Sequence, residues 1–410
     1  MSSTKSKSSK PSIPAGLQAP LALLGGLSPE AFMRRHWQKK PLLIRQAMPG
    51  VQSPIDRAAL FELAGREEVE SRLIVQGAAT MPRAGKASAK GAMAERAAHG
   101  SAWTLRQGPV PRRALPRLQQ PGWTLLVQGL DQHVPAAYEL LQQFRFVPDA
   151  RLDDLMISYA SEGGGVGPHF DSYDVFLLQV HGRRRWRIGR MKDDTLRPDV
   201  PLKILENFEA EQEWLLEPGD MLYLPPRWAH DGTAEGECMT CSIGFRAPQA
   251  AELARELLVR LAEGVDDERP SLYRDPGQQA TDQPGRVPEA LQAFAAEALA
   301  RALRDPSQLH AALGETLTEP KPRVWFDIGD PLPDGMGVRL DPQTRMMYDD
   351  QRIYANGESW RAGGADARLL RRLADARRLS AGEVAKASDA ARELLDQWTE
   401  DGWLQPDPGH

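Results

Sequence analysis

The chain has 410 residues, more than one hydrophobic core ordinarily accommodates, so two or three domains are expected. Hydrophobic residues make up 41% and charged residues 26%, the balance of a soluble globular protein, and no run approaches ~18 consecutive apolar residues, which excludes a membrane-spanning helix. The net charge of -5 argues against a protein that coats nucleic acid generally, although it says nothing of local patches.

Residues 1–14 are polar and basic and lack the apolar segment of a secretory signal, so a disordered tail is expected there. Ser28-Pro29-Glu30 is a helix start: a capping hydroxyl, a proline at the first position and an acid in the first turn. It predicts a helix over Ser28–Trp37, followed by a short strand over Pro41–Arg45. Residues 78–100, rich in Ala, Gly and Lys, read as a mobile loop. A helix is predicted over Pro135–Phe144.

From Trp103 to Phe245 short apolar runs recur between turn signals. Strands are predicted over Trp123–Gln128, Leu155–Tyr159, Val175–Val180, Arg185–Ile188, Lys203–Leu205, Trp214–Leu216, Met221–Leu224 and Met239–Phe245. Many short strands at this spacing indicate an all-β sandwich or barrel. The two cysteines, Cys238 just before the last of these runs and Cys241 within it, read as packed thiols in a reducing, bacterial-type cytoplasm.

Beyond Pro248 the periodicity becomes helical. Ala251–Ala262 and Pro288–Leu303 carry apolar residues at three- and four-residue intervals, an arm suited to self-association. Strands follow over Val338–Leu340, Arg345–Tyr348 and Arg352–Tyr354, then helices over Ala367–Ala374 and Ala387–Glu400. Strands leading into a helix pair are winged-helix-like. There is no internal repeat.

The chemistry concentrates in Gly163-Gly164-Gly165-Val166-Gly167-Pro168-His169-Phe170-Asp171 and in Pro225-Pro226-Arg227-Trp228-Ala229-His230. A lone H-x-D is weak evidence in a chain with 8 histidines. On a strand, however, His169 and Asp171 share a face, because side chains alternate with period two. The glycines let the backbone turn tightly before them. His230 follows a strand and a Pro-Pro stop, where a third ligand can return beside the first two. Two imidazoles and one carboxylate with open positions suit a non-haem Fe(II) oxygenase; a zinc hydrolase or a surface His–Asp pair are the alternatives.

In Arg183-Arg184-Arg185-Trp186-Arg187-Ile188 the alternation puts Arg184 with Trp186 and Ile188 on the apolar face. A buried guanidinium needs an anion: the carboxylate of a dicarboxylic cosubstrate, or a protein acid in a structural ion pair. Ser158, in Leu155-Met156-Ile157-Ser158-Tyr159, can share that face and hydrogen-bond the same carboxylate, or be satisfied within the sheet.

These stretches, with Gly182-Arg183-Arg184-Arg185-Trp186, Pro218-Gly219-Asp220-Met221-Leu222-Tyr223-Leu224-Pro225-Pro226 and Gly244-Phe245-Arg246-Ala247-Pro248, resemble the bacterial JmjC-type ribosomal oxygenases. The resemblance is dense over residues 120–248 and thinner beyond. It implies an α+β chain: a double-stranded β-helix (jelly-roll, cupin, JmjC) core, a helical dimerisation region and a C-terminal winged-helix-like domain. The corresponding boundaries are a tail over 1–14, an oxygenase domain over 15–248 with its core over about 115–248, helices over 249–318 and the last domain over 319–410.

The resemblance further implies Fe(II) on His169, Asp171 and His230, with 2-oxoglutarate as cosubstrate on Arg184 and Ser158. It implies 3-hydroxylation of an arginine in ribosomal protein L-sixteen of the large subunit, by a cytoplasmic homodimer with neither membrane nor direct nucleic-acid contact. An arginine substrate calls for an acidic or aromatic clamp, for which Glu162 and Tyr173 are the candidates close in sequence. Asp231 is expected not to be a ligand. Arg83–Gly100 reads as an insertion relative to the family. Arg368, Arg371, Arg372, Arg377 and Arg378 are offset by Asp366, Asp375, Glu383, Asp389 and Glu393, so the last domain reads as a protein-contact or structural module. The alternatives are a histidine hydroxylase, a demethylase using the same site, or a non-catalytic cupin adaptor.

Overall fold

In the computed structural model of the chain, the Ser28 hydroxyl accepts the backbone N–H of Ala31 and caps a helix over Pro29–Arg35, as its sequence predicts. The structure describes residues 15–76, 103–263 and 272–409; the expected tail over 1–14 and the Arg83–Gly100 insertion lie outside the described residues. Two units are distinguished, Met1–Ala247 and Pro248–His410.

The first unit is built on one antiparallel sheet of ten strands: β1 (Leu42–Ile44), β2 (Ser71–Gln76), β3 (Trp103–Gln107), β4 (Trp123–Val127), β5 (Leu152–Ala160), β6 (His169–Phe170), β7 (Val175–Arg190), β8 (Gln212–Leu216), β9 (Met221–Leu224) and β10 (Trp228–Phe245). The order is β1-β9-β7-β10-β5-β4-β2-β3, with β6 also pairing β10 and β8 pairing β7. Period-two alternation divides each strand between two environments. Leu155, Ile157 and Tyr159 of β5 join Phe32, Phe61, Phe144 and Phe176 in a large apolar core. Asp154, Met156 and Ser158 face the other way and line a cavity of about 420 Å³. The same split recurs on β4, where Leu125 and Val127 enter the core while Thr124 and Leu126 line the cavity.

Several expected elements are redrawn. The two strands predicted over Val175–Val180 and Arg185–Ile188 are one strand, β7, because Gly182 (φ +61°) bends it without breaking the ladder. Thr240 pairs with Gln179 and Met239 with His181, so Val180 is an extra residue on β7. This bulge reverses the parity. Val175 and Leu177 line the cavity before it, Arg184 and Trp186 after it. The strand predicted from Met239 starts at Trp228, so His230, which does follow the Met221–Leu224 strand and the Pro-Pro stop, lies within β10. Lys203–Leu205 forms no strand and contributes a single bridge, Leu196 to Leu205. Asp171 sits just past β6, not on it. β2, β3 and the helix over Arg57–Leu63 are additions to the expected set.

The second unit begins with helices over Ala250–Glu263, Glu289–Ala302 and Pro306–Thr318, the last of them not foreseen. It continues as two three-stranded sheets and helices over Gly364–Ala376 and Asp389–Glu400. Leu370, Leu373, Leu395 and Trp398 of those helices close a core on Val338, Leu340 and Ile353. Among the described residues, no helix is long and apolar enough to cross a membrane.

Candidate metal centre

The pairing of β6 with β10 sets His169 directly opposite His230. Their rings lie 4.2 Å apart, centroid to centroid. The glycine run makes this approach possible. A Cβ on Gly165 would fall 2.4 Å from the carbonyl oxygen of Gly232, and Gly167 takes φ +79°. Asp171 is brought in by the following loop, which the Arg227 N–H holds through the Asp171 carbonyl at 2.8 Å. The loop is anchored further on by Asp174, whose buried carboxylate accepts the Tyr223 hydroxyl at 2.6 Å and Gln38 Nε2 at 3.1 Å. One ligand atom from each of His169, Asp171 and His230 lies within 4.8 Å of the others, and the Asp171 carboxylate is 3.6 Å from His230 Nε2.

Each imidazole is also oriented. His169 Nδ1 meets the Gly167 carbonyl at 2.9 Å, and His230 Nδ1 meets the Trp228 carbonyl at 3.0 Å. Nδ1 is then the protonated nitrogen, and Nε2 keeps its lone pair for a metal. Burial, reinforced by the neighbouring His169, lowers the His230 pKa to about 4. The ring is therefore neutral at pH 7, the form a metal ligand requires. Two imidazoles, one carboxylate and room for further ligands fit a divalent iron.

Across the cavity, Arg184 is buried, and its Nη1 donates to the Ser158 hydroxyl at 3.0 Å and to the Thr240 hydroxyl at 3.4 Å. Its guanidinium lies 5.6 Å from the Trp186 ring centroid. Its Nε finds no partner, and among the described residues no carboxylate forms an ion pair with it. A buried cation served only by neutral oxygens is costly, and an incoming carboxylate supplies what is missing. The structural ion pair weighed as an alternative is not present among the described residues.

Of the remaining candidates, Tyr173 lines the cavity. Burial and then the Asp171 carboxylate push its phenol pKa up, so it stays protonated. Glu162 lies elsewhere. Its carboxylate accepts the Gly236 N–H at 2.6 Å, and it does not line the cavity. The glycine turn at 163–167 separates Glu162 from His169. Asp231 is an ion-pair partner of Arg187, although it neighbours His230. Asp154, Met156, Arg72 and Lys203 also line the cavity and went unnoticed in the sequence. So did Thr240. Its even parity with His230 on one strand, and its polar side chain in an apolar run, were the available signals.

An antiparallel barrel sheet carrying this donor set and a buried arginine along one cavity defines a JmjC-type cupin, and residues 139–253 match the JmjC domain family. Residues 297–405 match the ROXA-like winged helix family, and residues 208–316 match an AraC-like ligand binding domain. The chain is 35% identical over 347 residues to the ribosomal protein uL16 3-hydroxylase of Escherichia coli, covering 80% of this chain and 84% of the relative. It is 29% identical over 412 residues to a probable ribosomal oxygenase of Haemophilus influenzae, covering 92% of this chain and 96% of the relative. The structure of YcfD, a ribosomal oxygenase from Escherichia coli, in complex with cobalt and 2-oxoglutarate superposes with a TM-score of 0.73 at 28% identity, covering 93% of this chain and 98% of that one. The chain belongs to the JmjC-domain ribosomal oxygenases.

Proposed function

We propose that this chain is an Fe(II)- and 2-oxoglutarate-dependent protein hydroxylase that 3-hydroxylates an arginine of ribosomal protein uL16. The observation that carries the reading is Arg184: a buried cation without a counter-ion among the described residues, on the same cavity as His169, Asp171 and His230. The uL16 substrate follows from the Escherichia coli relative.

In this reading His169, Asp171 and His230 hold the iron through two Nε2 atoms and one carboxylate oxygen. Arg184 grips the distal carboxylate of 2-oxoglutarate, and Ser158 sits beside it. When bound, iron and 2-oxoglutarate supply the oxidising chemistry: one atom of dioxygen enters a substrate C–H bond, and the other leaves in succinate as carbon dioxide is released. The protein orients the partners and limits water. The apolar wall of Val175, Leu177 and Trp186 does the latter. An arginine side chain would find carboxylates at Asp153 and Asp154, and the apolar faces of Met156 and Tyr173, on the same cavity.

The homodimer is part of this proposal. The helices over Ala250–Glu263 and Glu289–Ala302 expose Leu258, Val259, Leu291 and Leu299, apolar side chains that a second copy would cover. A cytoplasmic setting follows from a ribosomal protein substrate.

The test is mass spectrometry of uL16 incubated with the chain, Fe(II) and 2-oxoglutarate, beside His169→Ala. A gain of one oxygen on an arginine, absent with the variant, is expected. An oxygen on a histidine, or loss of a methyl group, would replace the arginine assignment. If iron binds but 2-oxoglutarate is neither bound nor consumed, the adaptor reading takes its place.

A further inference from the structure

Arg184 is held by a hydrogen-bonded chain whose protons can be counted, and the count distinguishes its two hydroxyl partners. The chain starts at Gln179, a fully buried residue at the β7 bulge. Gln179 Nε2 donates to the carbonyls of His181 at 2.8 Å and Gly182 at 3.3 Å. With both amide protons on those carbonyls, the side-chain oxygen faces Thr240. Thr240, also fully buried, donates its single hydroxyl proton to that oxygen at 2.8 Å. A hydroxyl has one proton, so Thr240 Oγ1 presents only lone pairs to Arg184 Nη1. Ser158 differs. Its hydroxyl accepts from Arg184 at 3.0 Å, but its own proton rests on the Thr240 carbonyl at 3.3 Å, long for an O–H···O bond. That proton can swing to an arriving anion at small cost.

We propose that Gln179 and Thr240 form a positioning relay that fixes the Arg184 guanidinium for the distal carboxylate of the cosubstrate, and that Ser158 is the hydroxyl that redirects its proton onto that carboxylate. Gln179 and Thr240 are positioning residues: they act through Arg184. The relay also explains the placement of the bulge. The carbonyls that orient Gln179 belong to His181 and Gly182, the two residues just past Val180, where β7 reverses parity and brings Arg184 to the cavity side. The inference rests on the proposed 2-oxoglutarate chemistry.

The experiment measures binding in the full chain loaded with cobalt, by titration calorimetry, so that no turnover is needed. Thr240→Val keeps the side-chain shape and removes the acceptor. It is expected to weaken 2-oxoglutarate binding roughly tenfold, because a charged donor loses its partner in a buried site. Cobalt affinity is expected to be unchanged, since no ligand is touched, and this readout also shows that the barrel has folded. Thr240→Ser, which restores the hydroxyl, should recover most of the loss. Gln179→Leu should weaken 2-oxoglutarate in the same direction, because the Thr240 proton is then released to face Arg184. Preference for 2-oxoglutarate over the longer 2-oxoadipate should narrow in Thr240→Val, since a guanidinium that is no longer fixed tolerates a different chain length. Wild-type 2-oxoglutarate affinity in Thr240→Val, or a Thr240→Ser variant as impaired as the valine one, would overturn the relay. Absence of 2-oxoglutarate binding in the cobalt-loaded wild type would overturn the cosubstrate reading itself, and the relay with it.

Discussion

Replacing His230 with Gln should change how the stability of the metal-free protein depends on pH. The folded His230 titrates at about 4, below the ordinary value of 6.5, because burial and the adjacent His169 disfavour the imidazolium. In the unfolded chain it titrates near 6.5. Between these values the unfolded state carries one more proton, so stability rises with pH across that window. The contribution is fully present above about pH 6.5, falls away as the pH drops toward 4, and is flat below. A gap of about 2.5 pH units corresponds to about 3 kcal/mol. His230→Gln removes this titration and keeps a polar side chain of similar reach. The assay is denaturant unfolding in the presence of a chelator at several pH values between 4 and 7.5, for both proteins. Because the two units need not unfold together, the transition to follow is the one that added cobalt shifts upward. The wild type should lose about 3 kcal/mol more than the variant between pH 7 and pH 4. Parallel curves for the two proteins would refute the argument that a buried, neutral His230 is what the fold enforces.

Arg184→Lys retains the charge but loses the fork that matches a carboxylate, so 2-oxoglutarate affinity should fall by roughly a hundredfold while cobalt affinity holds, as calorimetry will show. Gly165→Ala places a Cβ 2.4 Å from the Gly232 carbonyl, and Gly232 is itself packed against the Trp186 ring. The strands must shift to admit it, at a cost of about 1–3 kcal/mol, visible as a lower melting temperature together with weaker cobalt binding. Glu162→Gln should leave the KM for uL16 within about twofold of wild type, because its carboxylate is engaged with the Gly236 N–H and away from the cavity. A tenfold rise would return Glu162 to the substrate site.

The separations between what could be read and what could not follow from the range of the forces involved. Local signals were legible: the Ser28 cap, the H-x-D spacing, the Pro-Gly-Asp turn before Met221–Leu224, and the alternation that turns Arg184 away from Arg183 and Arg185. Each depends on a few neighbouring residues and on fixed backbone periods. The reach of β7 and β10 was not legible, because a strand of 16 or 18 residues bent at a glycine looks like two short strands when its partner is unseen. Nor was the parity reversal at Val180, which exists only as a mismatch between two paired strands.

By itself the sequence determined the chemical inventory: which imidazoles, which carboxylate, which buried-face arginine, and the glycines that permit their approach. Tertiary structure decided who meets whom. It turned Glu162 onto Gly236, gave Asp231 to Arg187, left Arg184 without a counter-ion among the described residues, and brought Thr240 and Gln179 in from two separate strands. The reason is that donor and acceptor types are properties of single residues, whereas the satisfaction of a buried charge depends on everything packed around it, and that is fixed only when the strands have chosen their register.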